Sequence, residues 1–354
     1  MIKKLLKKII LFLPIKTSFF HDNQASPIIE KSKKFRGINY LKKYDFGSLN
    51  KNKTFYVINR SPGAGIFSNL TFVLNFILVS KKKNFIPIVD MENFPTIYNE
   101  KKKIYSFRNA WNYYFESLNQ YSLEEVYKSK NVYFSNSFFE KSMPLDMMDK
   151  KLKSLFNKIK IKKNLIQKAN NFYKITFQKS DKVLGVHFRG STYKVARGHA
   201  FPPTPKLMIE NIDSLMQKFK YNKLFIVTEE QKYLDILKNK YKHKCIFFNS
   251  YRMNKSDSFK IYPRNNHRYK LGEETIIETI ILSKCSGLTY IKSNVISAAM
   301  CLSKNKKNYH EIFLGYNSRN KYIARWLWYI KKQLPAKFGG LQLINRNRYK
   351  QKIS

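Results

Sequence analysis

The chain has 354 residues, 43% hydrophobic and 16% aromatic, enough to bury a large core and to fill two domains of ordinary size. Its 68 Lys and Arg against 23 Asp and Glu give a net charge of +45, but no zinc-finger spacing, RNP-like aromatic motif or basic zipper accompanies them, so nucleic acid is not the expected partner. An anionic membrane surface or an anionic sugar nucleotide accounts for the charge equally well. The three cysteines, Cys245, Cys285 and Cys301, form no Cys-x-x-Cys pair, which sets aside a disulfide scaffold and a zinc site and suits the cytosol.

Residues 1–20 alternate Lys pairs with Leu and Ile pairs. The uninterrupted apolar run Ile9 to Ile15 contains Pro14 and is far short of the roughly 20 residues a spanning helix needs. A basic amphipathic helix lying on a membrane and an ordinary docked helix both fit. A polar lead-in to Asn50 follows, and Thr54 to Ile58 is β-rich and reads as the first strand. Next comes Arg60-Ser61-Pro62-Gly63-Ala64-Gly65-Ile66-Phe67-Ser68-Asn69, opening an apolar helix that runs to about Lys81. Gly63 and Gly65 permit close backbone approach just before a helix N-terminus, where an anion or a sugar hydroxyl can be held; a tight strand-to-helix turn is the plainer reading. The third Gly of a dinucleotide fingerprint and the Lys-Ser/Thr of a P-loop are missing.

Phe85 to Asp90 reads as a strand with a carboxylate at its tip. The aromatic run Asn109 to Glu116 can stack on sugar faces, though such clusters more often fill a core. Ser122 followed by Glu125 reads as a capping box. The Lys-rich stretch 150–174 carries apolar residues at helical spacing and reads as one or two solvated helices, with a domain boundary near Ile175.

Val183 to Lys194, Val-Leu-Gly-Val-His-Phe-Arg-Gly-Ser-Thr-Tyr-Lys, begins as a short buried strand and then turns polar. His187 and Arg189 flank Phe188, so their side chains leave the strand end on one face, with Gly190 opening a loop. A cationic fork at a strand's carboxyl end is where open α/β sheets bind ligands. Arg suits a diphosphate there because it never loses its charge and donates two parallel hydrogen bonds. The rest alternates: a helix over 204–219, a strand Leu224 to Thr228 with Glu229 and Glu230 at its tip, a helix 231–240, a strand 245–248, a helix from about Glu274 to Lys284, and a final strand 288–292. Ser293 and Asn294 then start a helix whose first amides form a second anion site. This order predicts a parallel α/β sheet. On the 274–284 helix, Glu274 and Glu278 share one face, and the helix dipole accounts for Glu273 and Glu274 if they lie in its first turn. Over 321–334, Arg325-Trp326-Leu327-Trp328-Tyr329 with Lys331 and Lys332 suits a membrane interface or packing back across the first domain.

Gly-Val-His-Phe-Arg-Gly-Ser-Thr-Tyr-Lys with His199-Ala200-Phe201-Pro202-Pro203-Thr204 resembles the donor-site segment of the fucosyltransferase superfamily, which includes the nodulation and core α-1,6-fucosyltransferases, the protein O-fucosyltransferases and bacterial surface-polysaccharide enzymes. The resemblance runs from about Tyr56 to Ser303, and Thr192 departs from it where bacterial members have Asp. It implies two Rossmann-like domains facing a cleft, the GT-B arrangement: an N-terminal segment 1–50, an acceptor-side domain 51–175, a donor-binding domain 176–310 and an aromatic, basic tail 311–354. It implies transfer of fucose from GDP-fucose, without metal and with inversion, to a surface glycan or lipid-linked saccharide. No cofactor beyond the donor is implied. Among donor-binding residues it places His187 and Arg189, the Gly-rich loop with Gly63, Gly65 and Asn69, Thr228 and Glu229 near base and ribose, and Ser293 and Asn294 at phosphate. Glu274 and Glu278 are carboxylates near that site. It also likens Asn109 to Glu116 to an acceptor-side segment.

Arg189 is the catalytic cation expected to offset the leaving diphosphate, since the chain has no Asp-x-Asp triplet for a divalent ion. Some relatives carry a Glu base in the loop after the Arg motif. Residues 192–201 contain no carboxylate, and His199 is their one ordinary neutral base. The rival reading is a basic membrane-associated or nucleic-acid-binding protein without catalysis. The expected location is cytoplasmic, at or near the inner face of the membrane.

Overall fold

The computed structural model describes residues 38–39, 42–59, 65–136, 143–253, 258–304 and 307–343. The basic N-terminal stretch expected to be amphipathic lies outside the described residues, as does Gly63. Two separate parallel sheets organise the chain. The first has the order β2-β1-β3, from Phe55–Ile58 (β1), Ile86–Val89 (β2) and Val132–Phe134 (β3). Phe-Tyr-Val-Ile in β1 is buried at every position, as a central strand covered on both faces requires. Helix α1 (Ile66–Lys82) crosses from β1 to β2, and two short helices, α2 (Trp111–Tyr114) and α3 (Leu123–Val126), lie between β2 and β3. Ser122 caps α3 by accepting from Glu125 N at 3.1 Å, half of a capping box.

Helices α4 (Lys150–Phe156) and α5 (Lys163–Thr176) lead to the second sheet. Its strands are Val183–His187 (β4), Lys223–Val227 (β5), Cys245–Ile246 (β6), Gly287–Tyr290 (β7) and Asn308–Glu311 (β8), in the order β6-β5-β4-β7-β8. The connecting helices are α6 (Ser191–Val195), α7 (Pro205–Phe219), α8 (Gln231–Tyr241), α9 (His267–Leu282) and α10 (Asn294–Leu302), and α11 (Lys321–Gln333) follows β8. Thr204 caps α7, accepting from Leu207 N at 3.3 Å, with Pro205 in the first turn, where a missing N–H costs nothing.

One hydrophobic core passes from the first sheet to the second. It includes Tyr56, Phe72 and Tyr114, then Ile276 and Ile280 of α9, then Phe225 and Leu288. At the seam a Cβ on Gly272 would lie 2.4 Å from the Tyr114 hydroxyl, and that hydroxyl donates to the Tyr269 carbonyl at 3.0 Å. Only glycine allows α9 this approach. Asp146 adds a polar fastening, with Lys292 Nζ at 2.7 Å and Ser297 Oγ at 2.8 Å.

Several elements differ from the sequence reading. The helix expected from about Glu274 begins seven residues earlier, behind Asn266 in a left-handed conformation at φ 54°. Glu273 and Glu274 therefore stand in its second turn, and the dipole explanation fails; ion pairs hold them instead, Glu273 with Lys168 at 2.7 Å and Glu274 with Arg264 at 2.5 Å. The strand after α9 is not the last. β8, Asn-Tyr-His-Glu, is an edge strand whose exposure leaves no apolar run to read. At the other edge β6 keeps only two of four expected residues. The lead-in before Asn50 is partly core: Tyr44 N donates to the Val132 carbonyl at 2.8 Å, and the Tyr44 and Phe46 rings pack on Phe134. The tail helix packs on the second sheet's side of the molecule and not on the first, since Trp328 is buried among Leu184, Val186 and Phe201, its Nε1 donating to the Pro202 carbonyl at 2.8 Å.

Candidate active site

The second sheet changes direction between β4 and β7. From β4 the chain winds outward through β5 and β6, then returns to place β7 on the other side of β4. Loops leaving two such neighbouring strands diverge and open a crevice at their carboxyl ends. The loop after β4 carries Arg189, and the loop after β7 ends at Ser293, with Asn294 opening α10. In register, His187 faces Val227 of β5 and Tyr290 of β7, so the ends of all three strands lie level.

Phe188 turns into the core and stacks on Tyr233, ring centroids 4.1 Å apart. His187 and Arg189 take the other side. His187 is 2% exposed, and burial first, the Arg189 charge second, push its pKa down to about 3. It is a neutral imidazole. The Ile291 backbone opposes that drop, and Nδ1 is buried with no partner among the described residues.

The Arg189 guanidinium lies 4.5 Å from the centroid of the Tyr193 ring, and Nη2 donates to Thr192 Oγ1 at 3.3 Å. Glu229, at the tip of β5, stands 3.6 Å from Nη1 and accepts from Gly190 N at 2.9 Å. Beside it Glu230 pairs with Lys194 at 3.0 Å. A Cβ on Gly190 would sit 2.1 Å from Glu230 Oε1, so a larger residue there would have to push the Glu230 side chain aside. Two carboxylates thus hold the loop on either side of its hinge residue. Arg189 Nε remains unpartnered among the described residues.

Ser293 caps α10, accepting from Ile296 N at 3.3 Å. Its oxygen is engaged while its O–H can still donate. Asn294 is half-buried in the first turn of α10. Thr228 is buried and its Oγ1 accepts from Glu230 N at 3.2 Å, while Glu229 contacts the Arg189 loop; both stand at the carboxyl end of β5, where base and ribose contacts were expected.

His199 is exposed in the loop after α6. Its Nδ1 lies 3.0 Å from the Arg197 carbonyl, which can only accept, so the proton sits on Nδ1 and Nε2 is the basic nitrogen. Its ring meets that of Tyr193 edge-on at 5.2 Å. Tyr193 therefore stands between Arg189 and His199. The segment is pinned by Asn317 N, which donates to the His199 carbonyl at 2.8 Å.

On the first sheet's side, Gly65 is the N-cap of α1, and Tyr98 OH accepts from Ile66 N at 2.9 Å. Burial pushes Tyr98 up to about 12, with Arg189 close enough to act against that rise. Tyr98 thus holds the start of α1 and lies within the field of the Arg189 charge. Asn69 is 1% exposed on α1. Glu274 and Glu278 do share a face of α9, but each is engaged: Glu274 in the Arg264 pair and with Tyr251 N at 3.1 Å, Glu278 with Ser250 Oγ at 2.7 Å and Arg252 at 3.4 Å. Burial raises Glu278 to about 7 despite Arg252. The aromatic run resembling an acceptor segment is core: Trp111, Tyr113, Tyr114 and Phe115 are each at most 2% exposed.

Sequence reasoning did not single out Tyr98 and gave no role to Tyr193 or Glu230, though it named both. Tyr193 follows Arg189 by four residues, a helical spacing that could have flagged it. Tyr98 sits in a loop distant in sequence from both partners and offers no such signal. Among the described residues, no group of three or more His, Cys, Asp or Glu is placed to hold a metal ion, and no helix is long and apolar enough to cross a membrane.

No family model and no curated protein matches the chain. Among solved structures, the fucosyltransferase NodZ from Bradyrhizobium is 15% identical, covering 70% of this chain and 92% of its own, with a TM-score of 0.46. NodZ alpha-1,6-fucosyltransferase co-crystallized with GDP is 14% identical over the same shares, with a TM-score of 0.47. POFUT1 in complex with GDP-fucose is 10% identical, covering 73% of each chain, with a TM-score of 0.35. At these values the likeness carries no argument about chemistry.

Proposed function

We propose that the chain is a metal-independent, inverting glycosyltransferase that takes fucose from GDP-fucose to a glycan or lipid-linked saccharide acceptor. The observation that supports the reading is the β4/β7 switch: the end of β4 carries Arg189 and the buried His187, whose Nδ1 has no partner among the described residues, and the neighbouring β7 leads into the N-terminus of α10. Cation and helix amides bind a diphosphate, and the open ring nitrogen of His187 is free to bond a polar group of the ligand. The choice of GDP and fucose rests on the resemblance of the His-Phe-Arg segment.

In the reaction the acceptor hydroxyl attacks the anomeric carbon from the face opposite the diphosphate. As that bond forms, the bond from the anomeric carbon to the phosphate oxygen breaks, and its electron pair leaves with GDP. Arg189 and the α10 amides meet the charge that grows on the diphosphate. His199 Nε2 takes the acceptor proton. A lipid-linked acceptor would bring the enzyme to the cytoplasmic face of a membrane, and the net charge of +45 suits an anionic one.

The test is a thermal-shift screen of GDP-, UDP- and CMP-sugars followed by transfer assays in EDTA. The expected result is saturable stabilisation by GDP-fucose and turnover unaffected by EDTA. Strict dependence on manganese would overturn the metal-independent step. No response to any nucleotide sugar, with steeply salt-dependent binding to polyanions, would favour the non-catalytic rival.

A further inference from the structure

Helix α11 has two apolar faces, and only one is covered. Ala324 and Trp328, one turn apart, face inward at 0% and 3% exposure. Trp328 lies against Pro202 and beneath Lys194, whose Nζ stands 5.1 Å from its ring. On the opposite side Tyr322, Trp326 and Ile330 repeat at the same four-residue spacing, joined by Ile323 and Tyr329, and all are between 38% and 51% exposed. An ordinary surface helix carries polar residues there. Here that face is aromatic and aliphatic, and cations border it.

Lys321 and Lys332 stand near the two ends of the helix and both are exposed, Lys321 Nζ 5.0 Å from the Tyr322 ring of the stripe and Lys332 Nζ 5.9 Å from Trp328. Beyond the helix, Phe338 is 67% exposed with Lys337 Nζ 5.1 Å from its ring. The sequence past 343 adds Arg346, Arg348, Lys350 and Lys352. Trp and Tyr rimmed by Lys match the interfacial layer of a bilayer, where the rings enter the headgroup boundary and ammonium groups meet lipid phosphates. A protein partner of the same shape would need an acidic rim. A second copy of this chain would set cation against cation.

We infer that the outer face of α11 docks on an anionic phospholipid surface, lying in its plane. The inference is independent of what Arg189 binds. It has a geometric consequence all the same: the inner face of the helix backs α6, which opens directly after Arg189 and Gly190, so docking holds the crevice near the bilayer.

The experiment uses the full chain and vesicles of phosphatidylcholine with and without phosphatidylglycerol, read by co-sedimentation and by quenching of tryptophan with brominated lipid. Of the three tryptophans, Trp111 and Trp328 are buried, so the quenched signal reports Trp326. Quenching on anionic vesicles is expected, with binding weakened about tenfold or more by Trp326→Ser with Ile330→Ser, circular dichroism unchanged. Lys332→Glu with Lys337→Glu should weaken binding at low salt and matter little at high salt. Binding to anionic vesicles that survives Trp326→Ser with Ile330→Ser undiminished, without quenching, would overturn the inference, because net charge alone would then explain it. So would a lipid-free dimer that the same substitutions split, since the stripe would then belong to a second copy.

Discussion

Two strand ends in this molecule bury polar groups, and they finish differently. At the tip of β2, Asp90 is fully buried, yet its carboxylate accepts from Tyr127 OH at 2.6 Å, Asn93 N at 2.8 Å, Asn93 Nδ2 at 2.9 Å and Glu92 N at 3.0 Å. Burial raises its pKa while those four donors oppose the rise. At the tip of β4, His187 and Arg189 each keep a buried nitrogen with no partner among the described residues. Unmet buried groups are expensive to leave so. The closed end is architecture, and the open end is where the proposed function puts the donor.

The sharpest break of this comparison is Arg189→Ala. Transfer should fall by about a thousandfold in kcat/KM if Arg189 meets the leaving diphosphate as proposed, with the unfolding midpoint nearly unchanged, because its folded contacts stay within its own loop and with Glu229; a fall of less than tenfold would place Arg189 outside the chemistry. Asp90→Ala should do the reverse. It strands the donors of Tyr127, Asn93 and Glu92, lowering stability by roughly 3 kcal/mol in urea unfolding while the folded fraction keeps its affinity for GDP.

His187→Gln sharpens the comparison through pH. The folded-state pKa of His187 is depressed, so its contribution to stability is complete above the ordinary value near 6.5. It is lost as the pH falls toward 3, because the unfolded chain takes up the proton first. From pH 6.5 to 5 the wild type should lose about 2 kcal/mol relative to the variant. A flat difference would show that His187 takes up its proton as readily in the fold as in the unfolded chain. The smallest expected effect is Gly190→Ala. The added methyl must displace Glu230, and donor affinity measured by calorimetry should weaken about fivefold, with global stability little altered.

Much of this was legible because the signals were local. Val183 to His187 is apolar and β-branched, and the Thr204-Pro205 start of α7 carries its own cap. The His-Phe-Arg alternation placed two side chains opposite Phe188, as found. The edges of the second sheet were not legible: β8 is half exposed and polar, and β6 is only two residues long, so neither has an apolar rhythm. Nor could spacing show that Glu274 and Glu278 are committed to Arg264 and Arg252, which approach α9 from loops before it. Tail orientation also depended on tertiary packing, with Trp326 and Trp328 two residues apart and on opposite sides.

The core that runs unbroken between the sheets also bears on how the molecule moves. Opening the seam would expose Tyr114 and the α9 residues Ile276 and Ile280, all buried, and would pull Gly272 from the Tyr114 ring it almost touches. A large apolar interface of this kind suppresses the relative motion ordinarily expected between neighbouring units. Heating should therefore melt both sheets in a single cooperative transition, one calorimetric peak and not two. Adjustment to an arriving substrate is left to the short loops at the crevice's rim, with the sheets themselves acting as one rigid frame.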